Sequence, residues 1–277
     1  MKFSLAQLYR RTRNPRRSSV TFRPIQAPSA FATNLYQSSY LPVVKAWESA
    51  LPGIVAEYER TLSDITTDAP ADLRAQIGKV ESDLFGLFAT LGFRLERWAQ
   101  TVEAFQRRRW VGAVNSATGV DISALIGPGD VRMSLQVVIE RNVALVRSVS
   151  DQARTRIADA VFRGLNDRRP SREVAKEIRE AVEMSRRRAK NIASDQLSKL
   201  TGQLNEERTR QSGIEEYKWV ASGKVHFREN HRARDGKVFD WDNPPADGHP
   251  GQAIFCGCAS RAYLDLDKIL AEAAEAA

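Results

Sequence analysis

All 3 histidines and both cysteines of this 277-residue chain fall between His226 and Cys258. In chain order the run reads His231, His249 and then the tight pair Cys256-Gly257-Cys258. Neutral imidazole and thiolate are the donors that a borderline-soft ion such as zinc takes, four at a time in a tetrahedron. A Cys-x-Cys pair can present two thiolates from one loop, and Gly257 between them removes side-chain hindrance. The intervening segment Asp242-Asn243-Pro244-Pro245-Ala246-Asp247-Gly248 is poor in apolar residues, so burial alone would not hold its shape. A metal cross-link would supply that order. His231, His249, Cys256 and Cys258 are therefore the candidate ligands of one zinc ion, with His226 left outside the set. The bland alternative makes the thiols small buried hydrophobes and the imidazoles surface groups.

Four protein ligands leave no position for water, which makes the expected zinc structural. A catalytic version would drop one ligand and recruit Glu229 or Asp235 as a general base, giving a metal-dependent nuclease. No nuclease motif, Ser/His/Asp arrangement or phosphate-cradling glycine loop accompanies it, so the chain is expected not to be an enzyme.

The elements that must position these residues are mostly helical. Leu73, Ile77, Val80, Leu84, Leu87, Leu91, Leu95, Trp98, Val102 and Phe105 recur at threes and fours, predicting a long amphipathic helix. Arg107-Arg108-Arg109 and then Gly112 mark its expected end. Gly127-Pro128-Gly129 is a turn, and a second helix fits Val131 to Leu165. Asn142 lies on the apolar stripe of that second helix, as a polar contact within a bundle or a groove-facing group. Two further helices are expected, one starting at Ser171 and one from about Ser185 to Gln211, the latter closed by Gly213. Beyond Gly213 the period changes to two: Tyr217 to Ala221 and Lys237 to Trp241 read as strands around the Asp235-Gly236 turn. Tyr263 to Ala277 reads as a closing helix.

Charge is distributed unevenly. Residues 1–47 hold Lys2, Arg10, Arg11, Arg13, Arg16, Arg17, Arg23 and Lys45 and no carboxylate, which accounts for the whole net charge of +8. With Pro15, Pro24, Pro28 and Pro42, the segment reads as an extended arm. Arg10, Arg11, Arg13, Arg16, Arg17 and Arg23 are its candidate contacts to nucleic acid or an acidic partner surface, with salt-sensitive affinity. A merely solvated tail is the alternative. Two cysteines two positions apart form no disulfide framework, and reduced thiols fit a reducing compartment such as a cytosol. No run approaches the roughly 18 apolar residues of a membrane-spanning helix.

The expected organisation is a basic arm over 1–42, an elongated helical body over 43–213 and a His/Cys module over 214–277. The fold class is thus mostly α, with a small α+β zinc-stabilised C-terminal module and an extended basic N-terminal arm.

Several motifs in succession resemble one known family. They are Arg188-Ala189-Lys190-Asn191-Ile192-Ala193, Gly213-Ile214, Tyr217-Lys218-Trp219, Arg228-x-x-His231, Asp235-Gly236-Lys237-Val238-Phe239, Pro244-Pro245, His249-Pro250-Gly251 and Cys256-x-Cys258. This ordered set, over about residues 130–262, is similar to the phage Mu F-like minor head proteins. The resemblance implies a minor capsid protein acting in head assembly and DNA packaging or delivery, without a catalytic role. It implies the portal and the major capsid or scaffold proteins as partners, with packaged DNA reached through the basic arm. Its place would be the virion, after assembly in the host cytoplasm. The family's metal-type positions fall on His231, Cys256 and Cys258, and Arg228, Asp235 and Gly236 would stabilise the module. Lys224-Val225-His226 and Gly257 depart from the family pattern. A zinc-containing DNA-binding protein without a capsid role is the alternative from another class.

Overall fold

The computed structural model describes residues 2–10, 17–63, 69–223 and 228–268. Its elements run α1 (Leu5–Tyr9), β1 (Ser19–Thr21), α2 (Ala30–Leu35), a π-helical turn, α3 (Leu41–Ser63), α4 (Ala69–Thr118), α5 (Arg132–Asn166), α6 (Ser171–Gln211), β2 (Glu216–Val220), α7 (Glu229–Arg232), β3 (Val238–Asp240) and β4 (Ala259–Asp265). The chain divides into two units, one of residues 1–31, 99–138 and 194–277, the other of residues 32–98 and 139–193.

The second of these is a helical bundle. Its core is built from the apolar stripes of α3, α4, α5 and α6, with Trp47, Ile54, Leu73, Val146, Ile157 and Ile178 fully or almost fully buried. Three polar groups are placed inside it and each finds a partner, as burial requires. Tyr40 donates to Asn142 Oδ1 at 3.0 Å, Trp47 Nε1 to Ser150 Oγ at 3.0 Å, and Tyr58 to the Arg169 carbonyl at 2.7 Å. Asn142 is completely buried, so it is a bundle contact and not a groove residue.

Two helix boundaries differ from those expected. α4 passes Arg107–Arg109 and Gly112 and ends at Thr118, where Gly119 takes a left-handed φ of 73°. A glycine inside a helix costs about 1 kcal/mol. Ending the helix at Gly112 would forfeit the burial of Ala113 and Val114, which is worth more. α6 likewise runs unbroken through Ser185, whose hydroxyl is buried and donates to the Ala181 carbonyl at 3.0 Å.

The other unit is organised by a four-stranded antiparallel sheet of order β1-β4-β2-β3. This revises the reading of residues 1–42 as an extended arm. Ser19, Val20 and Thr21 pair with Asp265, Leu264 and Tyr263, making the N-terminal segment an edge of the sheet. Leu5, Tyr9, Val20, Phe22 and Ile25 are buried with Trp110, Val114, Ile122, Ala262 and Leu264 in one apolar cluster. Backbone bonds from Phe3 and Leu5 to the carbonyls of Gln211 and Ser212 fasten the start of the chain to the end of α6. Apolar burial at alternating positions has overridden the proline-rich, basic composition. Residues 263–265 are likewise strand and not helix: Ala262 and Leu264 bury alternate positions of β4. Residues 269–277 lie outside the described residues. Among the described residues no helix is long and apolar enough to cross a membrane.

Candidate metal centre

β2 supplies one wall of the site. Its alternating burial turns Tyr217 and Trp219 to the covered face, where they join Trp241, Cys256 and Cys258 in a small apolar cluster. α7, a single turn after Arg228, places His231 with its ring edge-on to Trp219 at a centroid distance of 5.1 Å. The loop before β4 brings in both cysteines. His231, Cys256 and Cys258 are all buried, and their donor atoms lie within 4.8 Å of one another.

His231 Nδ1 stands 3.5 Å from Cys256 Sγ and 3.5 Å from Cys258 Sγ. A tetrahedral zinc with Zn–S of about 2.3 Å and Zn–N of about 2.0–2.1 Å spans a sulfur-to-nitrogen edge of about 3.5 Å. The donor set therefore has both the softness and the spacing that a zinc-type ion requires. The far side of the imidazole is also set for this. His231 Nε2 lies 2.7 Å from Asp247 Oδ2, so its proton goes to the carboxylate and Nδ1 keeps its lone pair facing the sulfurs. Arg234 at 2.6 Å and Asn230 at 3.3 Å hold Asp247 in turn, and the Arg234 guanidinium lies over Trp219 at 5.0 Å. Burial works to raise the Asp247 carboxyl, but the bonds from His231 and Arg234 outweigh it and keep it below its ordinary value.

The two thiols are electrostatically unequal. A hydrogen bond from Cys258, joined by the backbone N–H groups of Cys258 and Gly251, lowers Cys256 against the opposing effect of burial. Cys258, holding the shared proton and desolvated, is raised. Backbone donors aimed at sulfur favour the thiolate that a metal binds.

The loop carrying the cysteines is fixed against α6. Asp195 Oδ1 accepts from Phe255 N–H at 2.7 Å, and Phe255 is one of two non-glycine residues with positive φ among the described residues. Gly251 is left-handed at φ 89°, and a Cβ there would stand 2.9 Å from the Ser198 carbonyl oxygen. Across the contact, a Cβ on Gly202 would meet the Pro250 carbonyl oxygen at 2.8 Å. Gly202→Ala should therefore not gain the usual 0.5–1 kcal/mol of helix propensity. It should cost about 1–2 kcal/mol by overpacking, read as a lower melting temperature and weaker metal retention. An unchanged melting temperature would mean that the loop yields freely.

His249 is not brought to the cluster. Its Nδ1 is 3.0 Å from the Tyr217 hydroxyl, and its ring packs on Trp241 and Tyr217 with centroids at 4.9 and 5.5 Å. Burial, the largest influence, lowers its pKa. The residues expected to stabilise the module have defined contacts. Arg228 donates to the Ile254 carbonyl at 3.1 Å, Asp235 accepts from Ala221 N–H at 2.8 Å, and Gly236 takes φ 73° while donating to the Trp219 carbonyl. Asp235 is thereby occupied in a turn, and Glu229 is exposed at the start of α7. Asp247, Asp195, Gly202 and Trp219 complete the site and were not singled out by residue type. Of the basic residues, Arg17 donates to the Ala117 carbonyl at 3.0 Å, Arg23 is exposed beside α4, and Arg10 caps α1. Arg11, Arg13, Arg16 and His226 lie outside the described residues.

Fold and site together define a largely helical protein whose small antiparallel sheet carries a buried Cys2His cluster capable of holding a metal ion. Residues 151–261 match the family described as Phage Mu protein F like protein, and the chain carries a Mu F-like region over that segment. An uncharacterized protein of Haemophilus influenzae (strain ATCC 51907 / DSM 11121 / KW20 / Rd) is 31% identical over 154 residues, 55% of this chain. The match spans about a third of that relative's length, 34%. No solved structure matches.

Proposed function

We propose that this is a minor head protein of a tailed bacteriophage, acting in head assembly and in DNA packaging or delivery from a position at the portal vertex. The observation that carries the reading is the Mu F-like match over residues 151–261, which contains His231, Cys256 and Cys258 and the loop that holds them. In this reading the protein resides in the virion after assembly in the host cytoplasm. Its partners are the portal and the major capsid or scaffold proteins, and its basic N-terminal residues meet packaged DNA or an acidic partner.

The metal is zinc, held by His231, Cys256 and Cys258, with Asp247 orienting the imidazole. When bound, it cross-links α7 to the cysteine loop and stabilises a module with little apolar core of its own. With His249 outside the cluster, a full set of four protein ligands is not what makes the ion structural. That role is supported instead by burial: His231 is 2% exposed, Cys256 3% and Cys258 7%, which leaves little access for a substrate. The protein is accordingly proposed to be non-enzymatic.

Affinity capture of the tagged chain from infected or induced cells, followed by mass spectrometry, tests the assembly role. Recovery of portal or major capsid protein is expected. Repeated capture of neither, with the chain itself well expressed, would overturn it.

A further inference from the structure

The sheet-containing unit carries a second feature, distant in chemistry from the thiol cluster. Arg23, from the segment after β1, and Arg108 and Arg109, from α4, line a cleft of about 300 Å³. Ile25 and Ala113 give it an apolar floor. Arg108, Gly112 and Ser116 follow one another at steps of four, so they share one face of the helix. Gly112 leaves a gap in that face: a Cβ there would meet nothing within 4 Å.

The charge of this cleft is uncompensated. None of the three guanidiniums has a carboxylate partner among the described residues, and Arg109 stacks on the Phe105 ring at 5.7 Å. No carboxylate occurs in residues 17–31 or 104–120, the segments of this unit that supply the cleft lining. Outside the cleft lining, Arg17 adds a further cation at the end of α4, fixed by its 3.0 Å bond to the Ala117 carbonyl. From Arg109 to Ala117 the helix advances about 12 Å, at 1.5 Å per residue. Guanidinium groups repeated over such a length suit a regular array of anions better than an isolated carboxylate. Their forked donors match phosphate oxygens in pairs.

We infer that the Arg23–Arg108–Arg109 cleft is a binding site for the phosphodiester backbone of nucleic acid, read through charge and not through base sequence. This deepens the proposed contact with packaged DNA and rests on that part of the proposed function. It relocates the contact from a loose arm to a preformed groove on α4.

The test uses the full chain and a 20-base-pair duplex labelled with a fluorophore, titrated by anisotropy across a salt series. Each phosphate contact removed should reduce the slope of log affinity against log salt by about 0.9. Arg108→Ala/Arg109→Ala is expected to lower that slope by about 2 and the affinity at least tenfold. Gly112→Glu, which places a carboxylate in open space on the cleft face and should leave the melting temperature at or above wild type, is expected to weaken binding similarly. Arg172→Ala/Arg179→Ala removes the same charge from exposed positions on α6 in the other unit and should change affinity less than threefold. Equal losses in the cleft and control variants would overturn the site in favour of diffuse charge. So would tighter binding of poly-glutamate than of duplex, which would identify an acidic protein partner. The absence of salt-dependent duplex binding by wild type would overturn it outright. Any of these outcomes leaves capture of capsid proteins unaffected, so failure of the cleft is distinguishable from failure of the assembly reading.

Discussion

The purified chain should contain about one zinc per molecule, and replacing Cys256 or Cys258 by serine should remove both the metal and the order of the C-terminal module. The expected effect is large because a preformed ligand set does not exist in the unfolded state. Apparent zinc-binding energies of about 10–16 kcal/mol are then folding energies. What would be lost is specific: the packing of Tyr217, Trp219 and Trp241 around the cysteines, seen as near-ultraviolet dichroism. Far-ultraviolet helicity should fall little, because the bundle formed by residues 32–98 and 139–193 has its own core. His249→Ala separates the two versions of the site. With His249 bonded to Tyr217 and outside the cluster, the variant should keep its zinc while losing about 2–4 kcal/mol of stability from its buried ring packing and its bond to Tyr217. Should it lose metal as completely as Cys256→Ser, His249 would have to swing in as the fourth ligand. A metal-free yet fully ordered wild-type chain would remove the basis for a metal centre altogether.

The parts of this site that were legible in the sequence are those whose chemistry is carried by residue type alone. His231, Cys256 and Cys258 stand out because so few histidines and cysteines exist and they lie together in the chain. His249 is of the same type and in the same window, and nothing in the spacing separates it. Its role is decided by Tyr217 on β2 and Trp241 beyond β3, contacts that only the sheet register creates. Asp247 stood in the sequence only as one member of the apolar-poor segment Asp242 to Gly248. Its function depends on α7 and the turn after it delivering His231 and Arg234 to its two oxygens.

The N-terminal segment was hidden differently. Ser19-Val20-Thr21-Phe22 does alternate, but over a length too short to outweigh the surrounding arginines and prolines. The partner strand that gives it meaning lies more than 240 residues away, with Val20 opposite Leu264. The long helices were legible because their apolar spacing is local and sustained. Their ends were less so, since glycine marks a weak point and tertiary burial decides whether the helix stops there.

The same balance between local signal and tertiary context governs Arg208, which composition alone would place on a solvated helix face. It is fully buried near the end of α6. Its guanidinium donates to Glu103 Oε1 at 2.6 Å, to the Gly127 carbonyl at 2.9 Å and to Gln211 Oε1 at 2.9 Å, with Asp130 at 3.5 Å. One side chain thus ties α6 to α4 and to the Gly127-Pro128-Gly129 turn. That turn is also closed by Asp130, whose carboxyl is lowered to about 2, chiefly by the hydrogen bond it accepts from Gly127 N–H. Arg208→Met should cost about 3–5 kcal/mol, because it strands the buried Glu103 with only Arg107 as a cation. At about 2–4 °C per kcal/mol for a chain of this size, the melting temperature of the sheet-containing unit should fall by about 10 °C. The cost comes from the uncompensated carboxylate and not from the lost packing. Arg208→Met/Glu103→Met, which removes both charges, should therefore recover most of it. Melting followed by tryptophan fluorescence distinguishes the cases, since Trp110 lies in this unit and donates to Ser212 at 3.3 Å. A loss below about 1 kcal/mol in the single variant would place Arg208 among ordinary surface pairs. A double variant no more stable than the single would mean that the guanidinium's grip on the Gly127 turn, and not its charge, is what holds the two helices together.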